Sequence, residues 1–255
     1  MNITIIGTGN VATRLGVALK AANHTIVQII GRNAQTGHDL AQQLNCRFDD
    51  STQKVDPNAE LIIIAVSDNA LENIIAELPV TTALVTHTAG SMPMSLLQCF
   101  NNHGVIYPFQ TLSRQKEIDM TQVPLLIEGN TPTTTDQLGK LAKTISNRVT
   151  MVTSEQRQQL HLAAVFACNF TNHLYAIAHR LLTEKGLDFA LIRPLIEETA
   201  AKIWTLPPHE AQTGPAVRHD DKVMEKHLKT LATAPDLQTL YRQLSAHIMA
   251  SHQKK

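Results

Sequence analysis

The sequence predicts an α/β chain: a mostly parallel sheet over residues 1–153, followed by an all-helical domain over residues 154–255. Three observations predict it. Short β-branched runs alternate with helical spacing up to about residue 153. One of these runs, Leu61-Ile62-Ile63-Ile64-Ala65-Val66, is apolar on both faces, as a strand covered on both sides must be. Beyond it the β-runs give way to long stretches of 3.6-residue periodicity. At 255 residues the chain exceeds one average domain of about 150 residues and falls short of two, which suits a large domain with a smaller one.

Strands are expected at residues 3–6, 25–30, 61–66, 83–86, 105–107, 125–127 and 149–152, with 61–66 central. Helices are expected over 11–22 and 36–44, and turns at Gly31 and Gly104. Residues 155–185 read as one uninterrupted helix, about 45 Å long at 1.5 Å per residue, with Gly186 as its stop. Its 160–168 stretch is apolar nearly all round, so burial in a bundle or in a dimer is expected. Asp188 is suited to cap the next helix, Pro194 to kink or offset it, and residues 200–204 to complete it. Two further helices, over 221–232 and 235–251, end the chain.

Composition removes several classes of function. Lys plus Arg number 22 and Asp plus Glu 22, so no net charge draws the chain to nucleic acid or an anionic membrane. Hydrophobic residues at 43% against 17% charged describe a packed core rather than disorder. The longest compact apolar run is far below the ~20 residues that span a bilayer, and the first residues lack a signal-peptide pattern. Cys46, Cys99 and Cys168 are widely spaced, which argues against a disulfide framework. A cytoplasmic protein with a small-molecule partner is expected. The twelve histidines show no metal-ligand spacing, so no metal is expected.

The residues from Ile3 to Ala12 contain Gly7-Thr8-Gly9-Asn10-Val11-Ala12, a G-x-G-x-x-A turn between an expected strand and an expected helix. Gly7 permits a tight turn, and Gly9 lets the backbone approach a pyrophosphate. The helix start at Asn10 and Val11 offers N–H groups to an anion. The second strand ends in Gly31-Arg32-Asn33 rather than in an acidic residue. The glycine turn in that setting makes the sheet a Rossmann-type one, and Arg32, which can pair with a 2′-phosphate, favours NADP over NAD. After the central strand, Val66-Ser67-Asp68 lies where the sheet's carboxyl edge meets the cofactor, and Asp68 could equally cap the helix over 69–78.

Three polar constellations are candidates for the reaction. Thr86-His87-Thr88-Ala89-Gly90-Ser91 places His87 and Ser91 at the carboxyl edge of a strand. Tyr107-Pro108-Phe109-Gln110-Thr111 is a strand end running into a turn. On the long helix His161, Cys168, Asn169 and Asn172 fall within about 100° of arc if the helix is regular. Buried polar groups there must bond one another, a neighbouring helix or a ligand. Thr213-Gly214-Pro215-Ala216-Val217-Arg218 precedes a helix that Asp220 can cap, and Arg218 would suit as a carboxylate anchor.

The glycine turn, the His87 to Ser91 and Tyr107 to Thr111 segments, the His161 to Asn172 helix and the Thr213 to Arg218 loop together resemble a bacterial family of predicted oxidoreductases. That family joins a Rossmann-like domain to a domain of unknown function, number 2520. More distantly the architecture is similar to pyrroline-5-carboxylate reductases, deazaflavin-dependent NADP reductases and the 6-phosphogluconate dehydrogenase group. The resemblance implies an NADP-binding domain and a helical domain that forms a homodimer. The β-hydroxyacid dehydrogenases of the last group use a Lys on the long helix, but none occurs between Thr153 and Glu184 here. His161 is the nearest chemical substitute.

The expected function is therefore an NADP-dependent oxidoreductase acting on a small carbonyl/alcohol or imine/amine substrate between the domains. His161 or His87 would exchange the proton, Ser91, Asn169 and Asn172 would orient the substrate, and Arg218 would hold an acidic group. The alternative is a non-catalytic NADP-binding sensor or scaffold whose helical domain binds a partner.

Overall fold

The structure, a computed structural model, describes Met1–His252. It divides into two compact units, Met1–His173 and a second beginning at Leu174.

The first unit runs β1 (Asn2–Ile6), α1 (Asn10–Ala21), β2 (Thr25–Ile30), α2 (Ala34–Leu44), β3 (Arg47–Asp49), β4 (Leu61–Ile64), α3 (Asp68–Glu77), β5 (Leu84–His87), β6 (His103–Pro108), β7 (Leu125–Gly129), α4 (Pro132–Lys143), β8 (Val149–Met151) and α5 (Ser154–Ala164). The eight strands lie in the order β3-β2-β1-β4-β5-β6-β7-β8. Every neighbouring pair is parallel except β6 and β7. As expected, β4 is central and buried along its whole length, between β1 and β5.

Period-two alternation distributes the isoleucines between two cores. Ile3, Ile5, Leu61 and Ile63 pack with Leu15, Leu19, Leu40 and Leu44 of α1 and α2 on one face. Ile6, Ile62 and Ile64 pack with Leu71, Leu97 and Phe100 on the other. Each such buried side chain contributes about 1.5–3 kcal/mol, which holds the carboxyl edge of the sheet rigid beneath the site.

Two strand-level expectations need correction. The edge strand β3, three residues with charge at both ends, carries too little apolar pattern to be read as a strand, yet it pairs with β2. Gly104 is not in a turn: it lies within β6, where a Cβ would stand 2.4 Å from the Glu128 carbonyl of β7.

The long helix is interrupted. After α5, Val165–Phe170 forms a π-turn, and α6 (Thr171–Thr183) resumes the α-form. The Thr171 hydroxyl donates to the Phe166 carbonyl five residues back, at 3.3 Å. The extra residue in a π-turn turns all that follows by about 100°, so His161 and Asn172 do not share the arc that a regular helix would give them. Nor is this stretch buried within one chain: Leu162 is 51% exposed, Phe166 64% and Phe170 51%.

In the second unit Gly186, at φ +67°, follows α6 as the expected stop. Asp188 caps a short 3-10 turn, accepting from the Ala190 N–H at 2.8 Å. Pro194 lies in the first turn of α7 (Arg193–Lys202) and so does not kink it, because a first-turn residue needs no N–H partner. α8 (Pro208–Ala211), α9 (Asp221–Thr230) and α10 (Pro235–Ser251) follow, with Asp220 capping α9. Among the described residues no helix is long and apolar enough to cross a membrane.

Candidate active site

The glycine turn is built as its spacing requires. Gly7 has φ +124°, and a Cβ there would lie 2.1 Å from the Ala65 carbonyl oxygen at the end of β4. Gly9 is the N-cap residue of α1, and a Cβ there would meet nothing within 4 Å. It borders a cleft of about 740 Å³ that reaches from Gly7 and Thr8 to Arg32, Asn33 and Ser67. The cleft opens at the carboxyl ends of β1 and β4, where the strand order reverses and ligands of open α/β sheets bind.

The far wall is tied to the glycine turn. Thr8 Oγ1 and Thr36 Oγ1 share a hydrogen bond of 2.9 Å, and Gly31 makes room for the Thr8 methyl, which a Cβ would meet at 2.6 Å. Asn33 caps α2, its Oδ1 accepting from the Thr36 N–H at 3.0 Å. Arg32 is exposed and pairs with no acidic group among the described residues. Neither α1 nor α2 has an acidic residue in its first turn. Open space at Gly9, acid-free helix starts and an unpaired Arg32 together suit a phosphate-bearing dinucleotide. Two expected contacts are narrower than anticipated. The Asn10 side chain donates to the Leu112 carbonyl at 3.0 Å, and Val11 packs against the core, which leaves their backbone N–H groups for an anion.

Beside the cleft, Val66 and Ser67 lead into Asp68, the first residue of α3 with Ser67 as N-cap. Asp68 is thus not itself the cap; its carboxylate accepts a hydrogen bond from the Ser91 hydroxyl. One residue away, Gly90 lies against Tyr107 and His161. A Cβ at Gly90 would stand 2.7 Å from His161 Nδ1 and 2.8 Å from Tyr107 Oη. Tyr107 Oη and His161 Nδ1 share a hydrogen bond of 3.1 Å, whose donor follows the ring tautomer. Both side chains are half-buried. Burial, and then the Asp68 charge, push the Tyr107 phenol above its usual range, with Arg157 acting in the opposite direction.

A lock that sequence reasoning missed holds this edge together. Arg157 on α5 is wholly buried; it pairs with Glu128 at the end of β7 and donates to the Met92 carbonyl at 2.6 Å. Glu128 also accepts from the Ser154 N–H at 2.9 Å and the Ser154 hydroxyl at 2.8 Å. The Gln158 amide donates to the Ser91 carbonyl at 2.9 Å. Two signals were present: a lone carboxylate ending the apolar Leu-Leu-Ile strand, and Arg157 four residues before His161, hence on its helix face.

His87 stands apart from the cleft rather than in it. It is 0% exposed, its Nδ1 accepts from the Ala89 N–H at 3.1 Å, and Nε2 has no hydrogen-bond partner among the described residues. Burial, and then the nearby Arg157 charge, hold its pKa down to about 4, outweighing the Pro93 backbone, Glu128 and Asp68. A neutral, enclosed imidazole is a poor proton carrier at neutral pH; this histidine fixes the turn that carries Gly90 and Ser91. Its unfolded form protonates below about 6.5 while the folded form resists. Stability is therefore expected to fall as pH drops from about 6.5 toward 4, by an amount of order 3 kcal/mol. Urea unfolding across that range checks this, and His87→Asn should flatten the slope.

Asn169 and Asn172 are exposed and make no side-chain hydrogen bond among the described residues, so the π-turn leaves them outside the Gly90 cluster. Arg218 is an exposed residue of the second unit.

Fold and site define a Rossmann-like α/β protein with a helical C-terminal region. Residues 1–110 match the Rossmann-like domain and residues 123–248 the domain of unknown function DUF2520. The chain belongs to the family that joins these two domains. A candidate NADP oxidoreductase from Bacteroides fragilis is 42% identical, with 98% of each chain covered and a TM-score of 0.91. A pyrroline-5-carboxylate reductase from Streptococcus pyogenes shares the fold at 15% identity, 98% of each chain and a TM-score of 0.62. An imine reductase from Myxococcus stipitatus, solved with NADP+, does so at 14% identity and a TM-score of 0.66, covering 98% of this chain and 92% of its own. No curated protein sequence matches this chain.

Proposed function

We propose that the chain is an NADP-dependent oxidoreductase that exchanges a hydride with a small carbonyl/alcohol or imine/amine substrate beside Ser91. One observation carries the reading: the phosphate-suited cleft and the polar cluster share a wall, since Ser67 lines the first and the adjoining Asp68 bonds Ser91 in the second. When bound, the reduced nicotinamide supplies the hydride. The kinship with oxidoreductases of the same fold supports the reading.

The chain's own residues then have distinct tasks. The Gly7 and Gly9 turn and the start of α1 bind the pyrophosphate, while Arg32 and the first turn of α2 bind a 2′-phosphate. His161, braced by Tyr107, moves a proton at the substrate heteroatom, and Ser91 orients it. The exposed Leu162, Phe166 and Phe170 support a homodimer through the helical part; a solution mass near that of one chain, 28.1 kDa, would remove this element. Three free cysteines accord with a cytoplasmic setting.

A fluorescence titration tests the cofactor reading: NADPH is expected to bind more tightly than NADH. Arg32→Glu should weaken NADPH at least about tenfold by replacing a charge-assisted contact with repulsion. Equal affinity of the two cofactors for the native protein would sink the role of Arg32. Turnover surviving in His161→Ala would take the proton role from that residue.

A further inference from the structure

We infer that residues 109–119 form a strap whose seating on α1 is coupled to the dinucleotide: the pyrophosphate binds with the strap seated and holds it so. The inference rests on the oxidoreductase reading above and adds a conformational step to it. The strap joins β6 to the 3-10 turn Met120–Gln122 and has no helix or strand of its own. Leu112 and Ile118 pack against the core, whereas residues 114–117 between them are exposed. Two side chains of α1 hold its carbonyls. Arg14 Nε donates to the Ser113 carbonyl at 2.9 Å, and a terminal nitrogen of the same guanidinium donates to the Arg114 carbonyl at 2.9 Å and the Lys116 carbonyl at 2.6 Å. Asn10 donates to the Leu112 carbonyl at 3.0 Å. Asn10 is also the first residue of α1, so the residue that offers its backbone N–H to the anion grips the strap with its side chain.

Charge explains why an anion would favour the seated strap. The strap and the first two turns of α1 carry Arg14, Arg114 and Lys116 against Glu117 and Asp119. Asp119 is engaged as the cap of the 3-10 turn, accepting from the Thr121 N–H at 3.0 Å. None of the three cations has an acidic partner among the described residues. Seating therefore gathers unpaired positive charge at the end of α1 that is already the positive pole of its dipole. A pyrophosphate at Gly9 supplies the missing counter-charge, so it stabilises the seated arrangement over one in which the cations disperse. The far end of the strap meets the proton-transfer cluster. Phe109, its first residue, lies with its ring 6.0 Å from that of Tyr107, which bonds His161. Phosphate binding at Asn10 and the placement of Tyr107 thus share one segment.

Trypsin reads the strap, because Arg114 and Lys116 are exposed within it and a segment is cleaved in proportion to the time it spends unseated. The full-length protein is digested with and without saturating NADPH, whose binding is followed by fluorescence. Mass spectrometry gives the rates of cleavage after Arg114, after Lys116 and after Lys185, an exposed residue in the turn that follows α6. Lys185 is the internal control, since a ligand that merely stabilises the whole fold slows every site alike. The expected result is that NADPH slows cleavage in the strap at least about tenfold relative to Lys185. Without NADPH, Arg14→Gln should speed cleavage in the strap at least about tenfold by removing three of its four bonds to α1, and leave Lys185 unchanged. If Arg14→Gln is cut throughout, the native protein with and without NADPH decides the matter. Failure of the native protein to bind NADPH would overturn the oxidoreductase reading itself, and this inference with it. Bound NADPH that leaves cleavage in the strap unchanged, or slows it no more than at Lys185, overturns the inference alone. So does an Arg14→Gln protein cleaved like the native one at all three sites.

Discussion

Glu128→Ala is expected to destabilise the protein by about 3–5 kcal/mol, because it leaves the guanidinium of Arg157 charged and without its counter-ion inside the fold. Arg157 is 0% exposed, and its Nε already has no partner among the described residues. The same change strips the Ser154 N–H and hydroxyl of their acceptor at the first turn of α5. At roughly 2–4 °C per kcal/mol for a domain of this size, the midpoint of thermal unfolding should fall by about 6–20 °C. A double variant, Glu128→Ala with Arg157→Met, separates the pair from its parts. If the loss is that of an unpaired charge, the double variant is more stable than Glu128→Ala alone. A double variant that loses the sum of two independent single effects would show that the pair is not coupled. Because α5 carries His161 four residues beyond Arg157, any turnover should fall with the lock.

Gly7→Ala is expected to be the most damaging of the glycine substitutions in the cleft, and Gly9→Ala to be its opposite in character. At Gly7 the backbone has φ +124°, and the new methyl would lie 2.1 Å from the Ala65 carbonyl oxygen, a backbone atom held in the sheet. The left-handed conformation alone costs about 1–3 kcal/mol for a residue with a side chain, and the overlap must move β4 or the turn. Stability and NADPH binding should fall together. At Gly9 the backbone is extended and a methyl enters open space, so the fold should lose only about 1 kcal/mol, the preference of an N-cap position for glycine over alanine. NADPH affinity should nevertheless drop at least about tenfold, because the methyl would occupy the approach of the pyrophosphate to the backbone. Thermal unfolding and fluorescence titration on both variants check the contrast. A Gly9→Ala protein that binds NADPH like the native one would take Gly9 out of the phosphate cradle.

The parts of the molecule that could be read in advance depend on neighbours in sequence. The 61–66 run signals a central strand because each of its side chains must be buried on one face or the other. The glycine turn is readable because positive φ at Gly7 and close backbone approach exclude other residues. Asp220 starts a helix and Gly186 ends one through groups a few positions away. The π-turn was not readable: it depends on how Thr171 and its surroundings take a carbonyl five residues back, and residue-by-residue periodicity assumes a regular helix. The short strand β3 was hidden for a related reason, since a charged three-residue strand exists by pairing with β2 rather than by any pattern of its own.

By itself the sequence determined the α/β class, the order of the strands' apolar runs, the glycine turn and the chemical types available at the carboxyl edge. Only the tertiary structure decided which of those types meet. It paired Asp68 with Ser91 and Tyr107 with His161 across Gly90, enclosed His87, and joined Arg157 to Glu128. The reason is physical. Backbone conformation and amphipathic periodicity are local properties, whereas the burial of a charge and the partner that neutralises it are set by strands and helices brought together from positions far apart in the chain.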